Sequence, residues 1–536
     1  MKLTLQDLKK PNEWIKMGYE IPDFDIEKMR QQTKCDPFWI HFGAGNIFKA
    51  FQAAAVNRLL CSGQLDRGII VAEGYDSEII DKVFRPHDNL SVLVTLKSDG
   101  SVRREVIASV ADALALDSGN TQDFGALREM FSKPSLQIAS FTITEKGYSL
   151  TDSAGRILPE VQRDYEKGYY EPISYIGKVT ALLYARYLSG AKPVAMVSMD
   201  NCSHNGDRLR EAVLSFAGEW TKRSICEAGF YEYAGSDNVS FPCTMIDKIT
   251  PRPDPKIVEL LKSDGLEDIK PVVTAKNTYV APFVNAEECE YLVIEDVFPN
   301  GRPELEKCGF IFTDRKTVDK TERMKVCTCL NPLHTALAVF GCLLGFRLIS
   351  DEMKDPDLRK LVEGIGLREG LPAAADPGII DPREFIETVI NIRLPNPFMP
   401  DTPQRIASDT SQKLGVRFGE TIKAYSEAKG LSVGDLRLIP LTIAGWLRYL
   451  TGIDDSGREF KLSPDPMLDE LCPIVKQIGD GTPDKIKQII KPIISNTAIF
   501  GIDLCRAGLA DIICNYLHSM MQGNGSVRKT LKEVVN

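Results

Sequence analysis

The sequence predicts an α/β domain followed by a mainly α-helical domain. Short apolar runs separated by helical stretches dominate the first 300 residues, and few such runs remain after about residue 310. A chain of 536 residues is also too long for one hydrophobic core. We therefore predict an N-terminal domain at residues 1–305 and a C-terminal domain at residues 306–536. The helical patterns of the second domain lie at residues 335–348, 351–365, 382–393, 417–428, 436–451 and 497–521.

The first domain opens with a strand, a glycine turn, a helix and a second strand. The apolar run FWIHF at residues 38–42 ends at Gly43-Ala-Gly45, and residues 47–60 then have helical spacing. Residues 68–73 form the second apolar run, which ends in an acid. This order is typical of a Rossmann-like, nucleotide-binding domain. Further strands are predicted at residues 93–97, 136–142 and 193–198.

The glycine turn has the chemistry of a pyrophosphate site. Gly43 and Gly45 allow a tight turn and a close approach of the backbone to phosphate at the following helix N-terminus. Phe48 stands where the usual third glycine would be, so an ordinary strand-to-helix turn remains the alternative. Glu73 can accept hydrogen bonds from adenosine ribose hydroxyls and would repel a 2′-phosphate, which favours NAD over NADP. Asp76 is a second candidate for this role.

Composition and charge exclude several classes of protein. The chain is 43% hydrophobic and 26% charged and has a net charge of −9, which disfavours nucleic acid or an anionic membrane surface as a partner. The N-terminus mixes charges into its first ten residues, unlike a signal peptide. The longest apolar run, residues 335–346, is shorter than the roughly 20 residues of a membrane span. We expect a cytoplasmic protein.

Metal-dependent chemistry finds little support in the residues. The thirteen cysteines and five histidines show no zinc-binding spacing, and Cys327 and Cys329 are the only close cysteine pair. We therefore predict no metal site. Oxidation of an alcohol without zinc needs a side-chain base such as tyrosine or lysine. Tyr425 and Lys429 have a suitable spacing, but we interpret them as a surface pair four residues apart on a helix.

Two polar segments are better placed for catalysis. Residues 197–206, which contain Asn201, follow an apolar run, and polar groups at the carboxyl end of a strand face the ligand crevice of an α/β sheet. The alternative is a simple turn. In the other segment, Asn331 is predicted to be the N-cap of a helix with Pro332 at its first position and His334 in its first turn. Capping does not explain Lys325, because a lysine is unfavourable near a helix N-terminus.

With these residues assembled, the chain resembles the mannitol dehydrogenase family. These are polyol-specific long-chain dehydrogenases and reductases that include fructuronate and tagaturonate reductases. The resemblance is spread over about residues 38–520 and is therefore more specific than any single motif. Its segments are residues 41–49, 142–148, 198–206, 241–247, 294–303, 325–334 and 401–409.

The resemblance implies an NAD-dependent, metal-independent oxidoreductase with a lysine as general acid and base. In the family this lysine acts with two asparagines that hold the reacting oxygen. The catalytic residues implied are Lys325, Asn201, Asn331, His334 and Glu322, and the substrate-binding residues are Arg405 and Lys413. The cofactor-binding residues implied are Gly43, Ala44, Gly45, Asn46, Ile47, Phe48, Glu73, Glu145 and Lys146.

This chain departs from the family pattern at several positions, and these departures bear on the geometry at Lys325 and on the substrate. Asn331 follows Lys325 by six residues rather than five, which predicts a one-residue bulge or a shifted pairing. Pro332 and Leu333 replace small residues, and Lys49 replaces an arginine. We expect interconversion of D-fructuronate and D-mannonate by a monomer or small homo-oligomer. The alternatives are a mannitol 2-dehydrogenase, a tagaturonate reductase or a non-catalytic NAD-binding protein.

Overall fold

A six-stranded parallel sheet is the centre of the first part of the chain. Its strands are β1 (Trp39–Phe42), β2 (Ile69–Glu73), β3 (Val110–Ala115), β4 (Ile138–Phe141), β5 (Val194–Ser198) and β6 (Val239–Ser240). Their spatial order is β3-β2-β1-β4-β5-β6, which is the order of a dinucleotide-binding Rossmann sheet. The computed structural model describes residues 1–479 and 481–536. The predicted Rossmann-like fold is confirmed.

The central strands are apolar on both faces because helices cover both sides of the sheet. Every residue of β1, β2, β4 and β5 is buried, so these strands read as continuous apolar runs rather than alternating ones. Phe42 lies opposite both Ala72 and Phe141, and Phe141 lies opposite Ser198. The carboxyl ends of these strands are therefore level, and the residues that follow them share one edge of the sheet.

The first compact unit comprises Met1–Leu96 and Ser101–Val318. It extends beyond residue 305 because Ile311–Thr313 pairs in parallel with Tyr291–Glu295, which is itself paired with Thr244–Asp247. Its remaining strands are Tyr19–Glu20, Ser91–Leu96, Val102–Ile107, Val272–Val273, Tyr279–Val280 and Phe283–Glu287. Its helices are Leu5–Leu8, Pro11–Lys16, Ile26–Cys35, Phe48–Ala53, Ala54–Cys61, Ile80–Phe84, Arg85–His87, Thr121–Ser132, Thr144–Gly147, Pro159–Lys167, Tyr175–Leu188, Asn205–Lys222, Gly229–Gly235, Pro255–Ser263 and Leu305–Cys308.

The second compact unit comprises Lys97–Gly100 and Asp319–Asn536 and is helical. Its core includes Asn331–Leu344 packed against Leu438–Tyr449, where Gly445 allows close contact with Val339 and Phe340. Helix Arg315–Arg323 leads into this unit. The other helices are Met324–Cys329, Ile349–Glu352, Pro356–Glu363, Gly364–Gly370, Leu371–Ala373, Pro382–Thr388, Val389–Arg393, Pro403–Ile406, Thr410–Gln412, Gly415–Gly419, Glu420–Glu427, Val433–Asp435, Leu468–Val475, Pro483–Ile494, Thr497–Phe500, Ala510–Met520 and Ser526–Val535.

Two of the predicted helical patterns are each two helices. The pattern at residues 497–521 is broken after Phe500, because Gly501 and Gly508 adopt left-handed conformations with φ of 69° and 83°. The pattern at residues 351–365 is interrupted before Pro356, where Asp355 caps a new helix. The signals for both breaks stand in the sequence, as two glycines in one pattern and the pair Asp355-Pro356 in the other.

One helical stretch, Arg315–Leu344, is long and apolar enough to cross a membrane by length and composition. However, 83% of its most apolar 18-residue window is buried inside the protein, as in the core helix of a folded domain. The predicted cytoplasmic location and oligomeric state stay predictions.

Candidate active site

A cleft in the first unit lies at the point where the strand order reverses between β1 and β4. Its volume is about 780 Å³, within the usual range for ligand sites. Ligands of open α/β sheets bind in the crevice outside the carboxyl ends of the strands. The lining includes residues that directly follow β1, the end of β2, and residues that directly follow β4: Gly43, Gly45, Glu73, Gly74, Tyr75, Thr142, Ile143, Thr144 and Lys146.

The two glycines of the turn serve different purposes. Gly43 has a φ of 109°, and a Cβ atom there would lie 2.3 Å from the carbonyl oxygen of Thr142. Only glycine fits this position, because both the conformation and the space exclude a side chain. A Cβ atom at Gly45 would meet no protein atom within 4 Å. Gly45 therefore leaves open space at the cleft, which suits a ligand that approaches the backbone closely.

Glu73 braces the glycine turn from the end of β2. Its Oε2 accepts a hydrogen bond from the Ala44 backbone N–H at 2.8 Å, and its Oε1 accepts from Tyr75 and Asp76 at 2.7 and 3.0 Å. Burial raises the pKa of this carboxyl, and the three amides act in the opposite direction. Asp76 is buried and accepts a hydrogen bond from Thr274. Oε2 of Glu73 accepts only one hydrogen bond and retains capacity to accept a further one.

The other predicted cofactor residues are placed unevenly. Lys146 lines the cleft, whereas Glu145 forms an ion pair with Arg208 at 2.6 Å and is not part of the lining. The Oδ1 atom of Asn46 is buried without a hydrogen-bond partner. The remaining side chains, of Ala44, Ile47 and Phe48, do not line the cleft; Phe48 is fully buried and stacks on His41 with ring centroids 4.7 Å apart. The Phe48 side chain therefore belongs to the core, and its predicted cofactor role stays a prediction.

A buried hydrogen-bond network beside the cleft centres on Asp200, which lies in the polar segment 197–206 but was not among the predicted site residues. Asp200 Oδ1 accepts from the Thr144 N–H at 2.9 Å, and Oδ2 accepts from the Ile143 N–H at 2.8 Å and the Tyr148 hydroxyl at 2.5 Å. Thr144 has a φ of 63°, an uncommon value for a β-branched residue. Asp200 thus fixes a strained cleft loop to the end of β5. The sequence signal that could have identified Asp200 is its position as an acid directly before Asn201.

Asn201 is exposed, three residues beyond the end of β5. Its position is held from both sides of the chain. The preceding residue, Asp200, is fixed through its carboxylate by the hydrogen bonds given above. The Asn205 side chain donates to the Asp200 carbonyl at 2.9 Å and to the Thr244 carbonyl at 3.0 Å. Asn201, which is predicted to bind the reacting oxygen, therefore follows a residue that hydrogen bonds hold in place.

In the second unit, Lys325 lies in the π-helical segment Met324–Cys329 and is only 3% exposed. The Leu330 N–H donates to the Lys325 carbonyl at 3.1 Å, five residues back. A π-helical turn accommodates one residue more than an α-helical turn and is frequent at functional sites. The extra residue between Lys325 and Asn331 is therefore accommodated by this π-helical turn. Of the two predicted alternatives, a one-residue bulge and a shifted pairing, the structure shows the bulge. Glu322, one turn earlier, is half-buried.

The predicted N-cap role of Asn331 is wrong. Leu330 occupies the boundary position with φ −125° and ψ −61°, so Asn331 is the first helical residue and Pro332 the second, and no side chain caps the helix. The helix continues almost directly from the preceding π-helical segment, which leaves no room for an extended N-cap residue at Asn331. Within residues 1–479 and 481–536, the Asn331 side chain accepts and donates no hydrogen bond. Its amide is therefore available to a ligand.

His334, half-buried on the same helix, is surrounded by cations. Burial lowers its pKa to about 4, and the charges of Arg393, Arg405 and Arg417 act in the same direction against that of Asp401. Arg405 pairs with Asp401, and Lys413 donates from Nζ to the Ser408 carbonyl at 2.5 Å. The structure thus brings His334, Arg405 and Lys413 into one cluster. It adds Arg393 and Arg417, for which no local sequence signal exists.

The interpretation of Tyr425 and Lys429 as a surface helical pair is wrong. Tyr425 is 5% exposed, and its helix ends at Glu427, so Lys429 lies beyond it. Among the described residues, no group of three His, Cys, Asp or Glu side chains is placed to hold a metal ion. Metal independence remains a prediction.

Comparison with known proteins identifies the family. A profile for the mannitol dehydrogenase Rossmann domain matches residues 38–307, and one for the mannitol dehydrogenase C-terminal domain matches residues 317–521. A D-mannonate oxidoreductase from Thermotoga maritima is 52% identical over 100% of this chain and 99% of its own length. A D-mannonate oxidoreductase from Escherichia coli is 30% identical over 84% of this chain and 87% of its own.

A solved structure agrees with these matches. It is Pseudomonas fluorescens mannitol 2-dehydrogenase in a ternary complex with NAD and D-mannitol. The two chains are 27% identical and superpose with a TM-score of 0.69 over 100% of this chain and 99% of the other. Both family profiles fall on the two units described above, and together they span most of the sequence. The chain therefore belongs to the mannitol dehydrogenase family.

Proposed function

We propose that this protein is an NAD-dependent oxidoreductase that interconverts D-fructuronate and D-mannonate. The observation that carries the choice of a sugar acid is the cluster of cations around His334, because carboxylates are bound best by fixed cations. The similarity to D-mannonate oxidoreductases supports the same choice. A small sugar acid is accordingly the proposed partner.

The residues of the first unit fit a dinucleotide. Gly45 leaves space for the pyrophosphate at the start of the helix after β1, and Glu73 keeps acceptor capacity for ribose hydroxyls. Lys146 adds a cation to the cleft lining. When bound, the nicotinamide supplies or accepts the hydride. Asp200 keeps the loop at Thr144 in place against the cleft.

We propose that Lys325 is the general acid and base that transfers the proton. Asn201 and Asn331 are proposed to hold the reacting oxygen. Lys325 is buried at 3% exposure, and a lysine held in place by packing can act as a general acid and base. The free amide of Asn331 can donate to the oxygen that becomes a carbonyl. Glu322, three residues before Lys325, is one helical turn away and is proposed to relay the proton. Arg405 and Lys413 are proposed to bind the substrate.

The test is an assay of NADH oxidation with D-fructuronate, D-tagaturonate, D-fructose and no substrate. We expect the highest kcat/KM with D-fructuronate, unchanged after treatment with EDTA. A preference for D-fructose or D-tagaturonate would replace the substrate by one of those alternatives. Failure to oxidise NADH with any of the three compounds would contradict the enzymatic function itself.

A further inference from the structure

Arg417 lies in the second unit beside residues proposed to bind the substrate, yet no role is assigned to it. It is four residues after Lys413, in the π-helical segment Gly415–Gly419. Its Nη1 donates to the Thr335 hydroxyl at 2.6 Å, and Thr335 directly follows His334 on its helix. The charge of Arg417 also lowers the pKa of Lys413, whose largest cause of lowering is burial. Arg417 therefore borders both His334 and Lys413.

The guanidinium of Arg417 lacks a counter-ion. In the described part of the chain, Thr335 is its only hydrogen-bond acceptor, and no carboxylate pairs with it. Burial alone lowers its pKa to about 10. Arg405 differs, because it is 66% exposed and paired with Asp401. Arg417 is half-buried, and a cation that is partly removed from water without a counter-ion is costly unless a ligand supplies the opposite charge.

The acids of this region are already engaged with other groups. Asp401 is paired with Arg405. Asp465 accepts hydrogen bonds from the Ser411 N–H at 2.8 Å and the Ser411 hydroxyl at 2.5 Å. Asp409 acts on Lys413 by its charge. None of them neutralises Arg417, so the guanidinium keeps several N–H groups for an external acceptor.

We infer that Arg417 binds the carboxylate of the sugar-acid substrate and determines the preference for acids over neutral polyols. This rests on the proposed function. A guanidinium offers two parallel N–H donors to a carboxylate, a geometry that a neutral hydroxymethyl group cannot use. The hydroxyl of Thr335 fixes one edge of the guanidinium and leaves the rest of its fork to the ligand.

The test compares wild type with Arg417→Gln and Arg417→Lys, using D-fructuronate and D-fructose with NADH. Loss of a hydrogen-bonded charge pair predicts a fall in kcat/KM for D-fructuronate of about 10- to 100-fold in Arg417→Gln. The change should appear chiefly in KM for D-fructuronate, with KM for NADH unchanged. The kcat/KM for D-fructose should stay within about twofold, since no carboxylate is present. Arg417→Lys should recover part of the loss because it keeps the charge.

The matched control is Arg506→Gln, which removes an arginine that is 90% exposed. It should leave all constants unchanged. Equal losses of kcat/KM for both substrates, or a rise of KM for NADH in Arg417→Gln, would assign Arg417 a structural role and overturn the inference. An unchanged KM for D-fructuronate would do the same while leaving the proposed function intact. Absence of turnover in wild type would instead remove the proposed function on which the inference rests.

Discussion

The candidate ligand sites of the two units are built from different groups, backbone in the first and side chains in the second. In the first, the cleft is shaped by backbone, and its acids mainly bind that backbone: Glu73 accepts from three amides, and Asp200 from two amides and the Tyr148 hydroxyl. In the second, polar side chains on packed helices keep unused donors among the described residues: the Asn331 side chain makes no hydrogen bond, and the Arg417 guanidinium donates only to Thr335. We propose that the backbone-built cleft serves the cofactor and that the side chains of the second unit serve the substrate.

The largest effect should come from Lys325. We expect Lys325→Ala to lower kcat about 10²–10⁴-fold, because a positioned general base contributes that much to proton transfer. Affinity for NADH, measured by fluorescence titration, should be unchanged. Lys320→Ala, an exposed lysine of the preceding helix, is the control and should retain full activity. Near-normal turnover by Lys325→Ala would contradict the assignment of the base.

The two turn glycines provide a direct test of the backbone-built cleft. Gly43→Ala should lower the free energy of unfolding by about 1–3 kcal/mol, because a left-handed conformation and a contact with the Thr142 carbonyl both oppose a Cβ atom. Gly45→Ala meets no protein atom, so its stability should match wild type while NADH binding weakens roughly tenfold. Thermal melting and NADH titration separate the two effects. Equal NADH affinity in Gly45→Ala and wild type would place the pyrophosphate elsewhere.

Asp200 tests whether the network beside the cleft positions the loop at Thr144. Asp200→Asn turns one acceptor into a donor that faces existing donors, which should cost about 1–3 kcal/mol of stability. Tyr148→Phe removes only the hydroxyl and should be milder. Both variants should raise KM for NADH more than KM for the sugar acid. Asp207→Asn, whose half-exposed ion pair with Arg315 contributes less than about 1 kcal/mol, is the control.

The sequence predicted more of the first unit's candidate site than of the second unit's, because spacing reveals local patterns and not the packing of distant segments. The strand, glycine turn and second strand are local patterns, so β1, β2, Gly43 and Glu73 were found from spacing alone. The position of Arg417 near His334 depends on how helical segments pack that are far apart in sequence, since Arg417 and its partner Thr335 are 82 residues apart, and no local pattern contains this. The same limit applies to Asn331, where the π-helical turn before it moved the cap position by one residue.

The smallest effect concerns the charge of His334. Its folded pKa of about 4 lies below the ordinary value of 6.5, so the unfolded chain binds a proton first as the pH falls. His334 therefore has no effect on stability above pH 6.5 and lowers stability progressively as the pH falls from 6.5 to 4. His334→Gln should lose less free energy of unfolding than wild type between pH 7 and pH 5, measured by urea titration. If His334→Gln follows wild type, the pKa of His334 is the same in the folded and the unfolded chain, which would contradict a neutral, half-buried histidine beside the arginines.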